Sequence, residues 1–567
     1  MSLSTSIQMA SASLQANDVA LQVVGQNIAN ANTPGYIREN VNFTPGPSQT
    51  DGNLVEGTGV QVLSITQQVN TFLESQLRNA NANQSSADTL ASTYTQLENI
   101  VGALNSSSDL SSAMNQFFSS ISDVLNEPGD ESVQQSAVLQ GQTLAQTINS
   151  MASQVEQARS SLDSQISGMA ADINGLTSQI AQLNTQIASV TGGGSSFSSA
   201  NGLTDQRNQA LSSLSQLLGI QVTTQPDGSV SVFSGDTNLV DDGTSQQVNV
   251  AQSINDGITV STLEMQGTNA PLPASSGELQ GLISSRDDVL GGFQDQLNSF
   301  TATLTNEFNK IYSGGQGTTA YTQTASLNAV SDPSVPLNSS QAGLPFTPTN
   351  GSFQIITTNT QTGASTTNNI PVTLLGAGHD TTLNSLAAEI NGVSGLSAQV
   401  SNGTLTISST SPNTQFAFGK DTSGTLAALG INTFFTGSQA GSIGVNNTLL
   451  QDPTKFAASS GGVGADTDNA QTLAGFLTLP LASQNGATIQ TLYNTMTNGV
   501  SQNSANATAT SNAADTLQST LSSQETAYSG VNIDDEVVNM MNYQEAYQAS
   551  AKYISTLSDL LSMLVQL

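Results

Sequence analysis

His379, in the segment GAGHD, is the only histidine in the sequence, and so the only side chain whose unperturbed pKa lies near neutrality. A Ser-His-Asp relay would have to run through it, and no Gly-x-Ser-x-Gly elbow accompanies it. One histidine also forbids a His-Glu-x-x-His zinc site. Gly376-Ala377-Gly378 begins like a dinucleotide-binding loop, but Thr381 stands where the third glycine belongs. Asp466-Thr467-Asp468-Asn469 begins like a calcium loop. Its sixth position is then Gln471 and its twelfth Leu477, where such a loop needs Gly and a bidentate Glu. There is no Walker A sequence, and without cysteine there is neither a disulfide nor a thiolate metal site. Asn-x-Ser/Thr triplets such as Asn338-Ser339-Ser340 are what chance supplies in an Asn/Ser-rich chain. The expectation is no catalytic residue, no cofactor and no metal. A secreted enzyme with its domain in residues 317–460 is kept as the alternative.

The charge balance points the same way. The 567 residues hold 9 Lys and Arg against 41 Asp and Glu, a net charge of −32. Nucleic acid and anionic membrane surfaces both select clustered Lys and Arg, so neither is expected as a partner. The start, MSLSTSIQMASASLQAND, has no continuous apolar stretch, and the first basic residue is Arg38. No cleavable secretory signal is therefore expected. No apolar run reaches the ~18 residues of a membrane span.

If little here does chemistry, the elements must do something else, and their periodicity says what. Leu3, Ile7, Ala10, Leu14, Asn17, Leu21, Val24 and Ile28 follow one another at alternating steps of four and three. Met540, Tyr543, Tyr547, Ser550, Ile554, Leu557, Leu561 and Leu564 do the same near the other terminus. Each is a heptad seam with one polar residue, and the two helices they predict invite pairing with each other. Asn17 and Ser550 are the candidates for fixing its register. A longer seam runs from Ile148 through Met151, Val155, Ala158, Leu162, Ile166 and Ile173 to Ile187 and Val190, a rod of roughly 60 Å ending at Gly192-Gly193-Gly194. A shorter one, Ala87-Leu90-Tyr94-Leu97-Val101-Leu104, precedes it.

The middle of the chain changes period. GIQVTTQPDGSVSVFSG alternates around Pro226-Asp227-Gly228, and GLSAQVSNGTLTISS around Asn402-Gly403, both hairpin patterns. The fold class expected is α+β and multidomain: long terminal and rod-forming coiled helices with inserted β-rich domains. Residues 1–50 with 520–567 form the paired terminal helices. Residues 51–316 with 461–519 form a mainly helical rod domain with a β segment near 221–275. Residues 317–460 form an inserted β-rich domain.

The first helix ends in NIANANTPGY. Pro34-Gly35 fits the centre of a type II turn, because Gly takes φ > 0 there. Asn30 and Asn32 suit a helix end, where they tolerate left-handed backbone or satisfy loose carbonyls.

The stretch LQANDVALQVVGQNIANANTPGYIRENVNF resembles the N-terminal signature of flagellar rod, hook and hook-associated proteins. SGVNIDDEVVNMMNYQEAYQASAKYISTLSDLLSMLVQL resembles their matching C-terminal end. Within that group, NGLTDQRNQALSSLSQLLGIQVTTQPDGSVSVFSG, GELQGLISSRDDVL, FNKIYSGG and LAALGINTFFTGSQAGSIGVNN resemble the hook-associated protein 1 (FlgK) family. Ser13 departs from that pattern where the family tends to place Gly, and Ile37 where a small polar or basic residue is usual. The resemblance implies a structural axial subunit at the junction of hook and filament, needed for filament assembly and motility. It implies export through the flagellar type III channel to an extracellular position. It further implies terminal helices lining an inner tube. The partners implied are copies of the chain in a ring, hook protein on one side, a filament-side junction protein on the other, and an export chaperone. Another axial subunit (hook protein, flagellin or the filament-side junction protein) is the nearer alternative. The assembly residues are then Leu3, Ile7, Leu14, Leu21, Val24, Asn27 and Ile28; Asn30, Thr33, Pro34, Gly35 and Tyr36 of the turn; Gly530, Val531 and Asn532; and Tyr543, Tyr547, Ile554, Leu557, Leu561 and Leu564.

Overall fold

The computed structural model describes residues 3–51, 54–102, 109–192, 198–255, 258–376 and 378–566. Among these the longer helices are α1 (Leu3–Asn30), α2 (Thr71–Val101), α3 (Leu110–Asn126), α4 (Glu131–Gly192), α5 (Ser198–Leu217), α6 (Glu278–Ser284), α7 (Gly292–Tyr312), α8 (Leu383–Asn391), α9 (Thr425–Leu429), α10 (Asn447–Gln451), α11 (Asp468–Ala474), α12 (Ile489–Ser529) and α13 (Ile533–Gln566). The strands lie in several small antiparallel sheets, so the fold is mixed α+β. None of the described helices is long and apolar enough to cross a membrane.

By its internal contacts the chain divides into two compact units. The first comprises residues 1–92, 160–286 and 506–567, and the second residues 93–159 and 287–505. Both are discontinuous, and long helices contribute to each.

In the first unit, α1 lies along α13, and the ribbon of β1 (Glu39–Pro45) and β4 (Val60–Gln67) follows α1 after the turn. The long seam of α4 is buried, from Leu162 through Ile166 and Ile173 to Ile187. Here it packs beneath strands, and two polar residues on the same helix hold them. Asn174 exchanges two 2.8 Å hydrogen bonds with the backbone of Val248. Asn184 does the same with Val230, at 2.7 and 3.1 Å. Because an Asn side chain presents a donor and an acceptor side by side, it closes a strand's backbone pair as another strand would. The hairpin at Pro226-Asp227-Gly228 forms as predicted, joining Gln221–Thr224 to Val230–Ser234.

The helix α4 starts at Glu131, well before the first residue of the predicted seam at Ile148, so the rod is about 90 Å rather than roughly 60 Å. The earlier turns carry Ala137, Val138, Leu144 and Ala145, all buried, whose mixed small side chains hide the period. Of the predicted terminator, Gly193 and Gly194 lie outside the described residues, as does Leu104 of the shorter seam.

In the second unit, Phe117, Phe118, Phe308, Tyr312, Phe434, Phe435 and Phe476 form one aromatic core, with neighbouring ring centroids 4.8–6.0 Å apart. The β-rich segment has a separate core. It is built on Phe353, Ile355, Leu386, Ile390, Leu405, Ile407, Phe416 and Phe418, and its buried residues run from Val330 to Ile431. The Asn402-Gly403 hairpin belongs to it, with both residues at positive φ. Gln316 and Ser459 exchange backbone hydrogen bonds of 2.7 and 2.9 Å where the chain leaves and returns. Packing thus divides the expected insertion. The residues of that separate core end at Ile431, with α9 also touching α7, whereas Phe434, Phe435 and Phe456 join the aromatic core of the helices. Asn309 of α7 fixes that attachment, donating to the Phe435 carbonyl at 2.8 Å and accepting from the amides of Phe434 and Phe435.

Candidate assembly site at the paired chain ends

The turn after α1 has the geometry its residues dictate. The Tyr36 amide donates to the Thr33 carbonyl at 3.2 Å, with Gly35 at φ +77° between them. Asn30 donates to the Gln26 carbonyl at 3.1 Å, satisfying a helix-end acceptor, and accepts from Thr33 Oγ1 at 3.2 Å. Its backbone is not left-handed, and neither is that of Asn32.

The turn delivers Tyr36, Arg38 and Glu39 to Asn27, which is 1% exposed. Asn27 Nδ2 donates to the Glu39 carbonyl at 2.9 Å and to Glu536 Oε2 at 3.1 Å. Its Oδ1 accepts from the Tyr36 hydroxyl at 2.9 Å and the Glu39 amide at 3.0 Å. Burial, reinforced by the carboxylates of Glu39, Asp205 and Glu536, pushes the Tyr36 hydroxyl well above its ordinary pKa, so it stays a donor. Glu536, on the first turn of α13 and 1% exposed, also meets Arg38 Nε at 2.7 Å. The Arg38 amide donates to the Ser529 carbonyl at 2.8 Å. Glu39 Oε1 in turn accepts from Asn201 at 2.9 Å. A buried carboxylate is tolerable only when it is paired and hydrogen-bonded, and Glu536 is both.

Gly530, Val531 and Asn532 join α12 to α13. A Cβ on Gly530 would collide with the Thr526 carbonyl. Asn532 caps α13, its Oδ1 accepting from the Asp534 amide at 3.0 Å.

The most deeply buried residues of α1, which packs against α13 and the β1–β4 ribbon, only partly coincide with the predicted seam. They are Ser6, Ala10, Ala16, Asn17, Ala20, Val23, Val24 and Asn27. Ala10, Asn17 and Val24 belong to the predicted seam; Ser6, Ala20 and Asn27 stand one position before its larger members. Leu3, Ile7, Leu14, Leu21 and Ile28 flank the contact, half-buried. On α13, Leu557 is buried; Tyr543, Tyr547 and Ile554 are half-buried; Leu561 is 42% exposed. The Leu564 side chain lies outside the described residues.

Of the polar seam residues, Ser550 meets Ser13 Oγ at 3.2 Å across the helices. Asn17 instead donates to the Ser13 carbonyl of its own helix at 2.9 Å. Both departures from the family pattern therefore make contacts, since Ile37 is buried as well. Sequence reading missed Arg38, Glu39, Asn201 and Glu536. Scarcity was the available signal: with nine basic residues in the chain, an arginine just beyond a helix-ending turn marks a carboxylate to be found.

Beyond these contacts α13 turns apolar residues outward: Val538 and Met541 are each 52% exposed, Leu560 47% and Met563 56%. These side chains leave apolar surface exposed along α13. Among the described residues no group of three or more His, Cys, Asp and Glu side chains could hold a metal ion.

Comparison with known proteins agrees from end to end. Residues 94–325 match the model of the flagellar hook-associated protein FlgK helical domain. Residues 7–36 match that of the flagella basal body rod protein, and residues 523–567 that of the flagellar basal body rod FlgEFG protein C-terminal. The chain is 23% identical over 590 residues to flagellar hook-associated protein 1 of Escherichia coli, and 25% over 595 residues to that of Salmonella typhimurium, with all of each chain covered. The solved structure of the flagellar hook junction protein FlgK from Burkholderia pseudomallei aligns with a TM-score of 0.54 at 19% identity, covering 80% of this chain and 100% of that one. At that identity the likeness speaks to the fold. Together these matches show a likeness to the flagellar hook-associated protein 1 (FlgK) family that runs the length of the chain.

Proposed function

We propose that this protein is a structural subunit of the flagellar axis, standing at the junction between hook and filament. The observation that carries the reading is the pairing of α1 and α13. Asn27 and Arg38 lock the start of α13 through Glu536, while Val538, Met541, Leu560 and Met563 face outward along the same helix. A monomer has little reason to spread that much apolar surface along one helix, since each Å² left in water forgoes about 25 cal/mol. Neighbouring copies in a ring supply the missing burial. Leu3, Ile7, Leu14, Leu21 and Ile28 at the rim of the pair serve the same contact.

In this reading hook protein meets one side of the ring and a filament-side junction protein the other. The subunit is exported through the flagellar type III channel with the help of a chaperone, and its work is mechanical rather than catalytic. Flagella of a strain lacking the gene test it by electron microscopy. Hooks without filaments, restored by the wild-type gene, are the expected outcome. Normal filaments in the deletion strain would end the junction reading.

A further inference from the structure

The Thr33–Tyr36 turn borders a cleft of about 470 Å³, edged by Pro34, Tyr36, Glu74, Arg78, Asp205 and Glu525. Arg78 is engaged by Glu74 at 3.6 Å. Asp205 and Glu525 have no ion-pair partner among the described residues. Burial raises both carboxyls above their ordinary pKa, although Asp205 accepts from Gln67 at 2.6 Å. Cations are scarce in this chain, and most are committed: Arg38 to Glu536, Arg286 to Asp163, Lys310 to Glu307 and Lys455 to Asp452.

Lys552, on the outward face of α13, is exposed and has no such partner among the described residues. It cannot serve its own cleft. Val531 lines the cleft, and Lys552 stands on the helix that runs on from it, about 30 Å further along.

We propose that the cleft is a socket for Lys552 of a second copy of this chain, set beside the first and displaced by about 30 Å in the direction of the α13 axis. Charge complementarity selects the occupant: Asp205 and Glu525 lack an ion pair, and Lys552 is the exposed cation of the first unit that also lacks one among the described residues, the other such lysine, Lys420, belonging to the second unit. Pro34 and Val531 offer apolar surface to the aliphatic stem, while the head reaches Asp205 and Glu525. Placed so, the turn positions a neighbouring subunit as well as redirecting its own chain.

The inference rests on the axial-subunit reading, and the chain's lack of cysteine makes the test specific. Flagella are isolated from cells producing Lys552→Cys with Glu525→Cys, or Lys552→Cys with Asp205→Cys, and treated with a short bismaleimide. A ladder of cross-linked oligomers is expected from at least one pair, and monomer from the control Lys420→Cys with Glu525→Cys. Separately, Lys552→Glu should lower the protein's content in flagella about tenfold, and adding Glu525→Lys should restore it. Circular dichroism of each purified variant establishes that it folds. Protein present in flagella with no ladder from either pair, or undiminished by Lys552→Glu, overturns the socket and leaves the axial reading standing. Wild-type protein absent from flagella overturns both.

Discussion

Asn27 and Glu536 stand 509 residues apart in sequence and 3.1 Å apart in the fold. The contact fixes where α13 begins against α1, because the same Asn27 amide is held by the backbone of Glu39 beyond the turn. Asn27→Ala would leave the Glu39 amide and carbonyl and one Glu536 oxygen without partners, all buried. A loss of about 2–4 kcal/mol is expected. Native-state hydrogen exchange of α13 measures it: protection should fall along the helix and hold in the aromatic core of the second unit.

Glu536→Gln tests the ion pair alone. Arg38 keeps a neutral acceptor but loses its carboxylate, so a smaller cost of about 1–3 kcal/mol is expected, read in the same exchange experiment. The Arg38→Ala and Glu536→Gln double variant should lose less than the sum of the two single changes.

Asp205 makes the first unit sensitive to pH. Burial and the nearby Glu39 push its carboxyl up to about 6 from an ordinary 3.8. Between those values the folded state holds the proton more tightly than the unfolded chain. Stability from this group is therefore greatest at low pH and falls as pH rises through that window. Asp205→Asn should raise stability at pH 7.5 by about 1 kcal/mol, solvent screening at this half-buried site limiting the gain. Urea midpoints at pH 5 and 7.5 check it, with a smaller wild-type-to-variant difference at pH 5.

The buried cluster of the β-rich segment ends at Ile431, and we propose that an inserted domain ends there too, so that excision at different points gives different results. Replacing residues 323–430 with a short Gly-Ser linker should preserve helical circular dichroism and a cooperative melt. Removing 320–458 also deletes Phe434, Phe435 and Phe456 from the aromatic core, each a loss of about 3–5 kcal/mol, and the second unit should no longer melt cooperatively.

Leu557 is buried within the chain whereas Val538 and Met541 are each 52% exposed, so the proposed assembly surface can be altered apart from the fold. Val538→Asp with Met541→Asp should leave the melting temperature of the purified protein within a few degrees, because neither side chain is buried. Cells should then make hooks and release filament subunits into the medium. Leu557→Asp should destabilise the purified chain itself.

Local features were legible from residues alone. Pro34-Gly35, Asp227-Gly228 and Asn402-Gly403 set their turns through the backbone angles that Gly and Asn allow, and those angles depend on nothing distant. Heptad spacing fixed the existence of α1, α13 and the buried part of α4, because a period is a property of one helix. What periodicity could not choose was which residues of α1 are buried deepest. Leu21 outweighs Ala20 in hydrophobicity, yet Ala20 is buried and Leu21 only half-buried, because α13 and the β1–β4 ribbon that cover α1 decide that contest. Nor could sequence order bring Asn27 to Glu536, or assign Phe434 to the helices rather than the sheet 16 residues before it that holds Phe418. Those are pairings between distant segments, and their energy exists only once the chain has closed on itself.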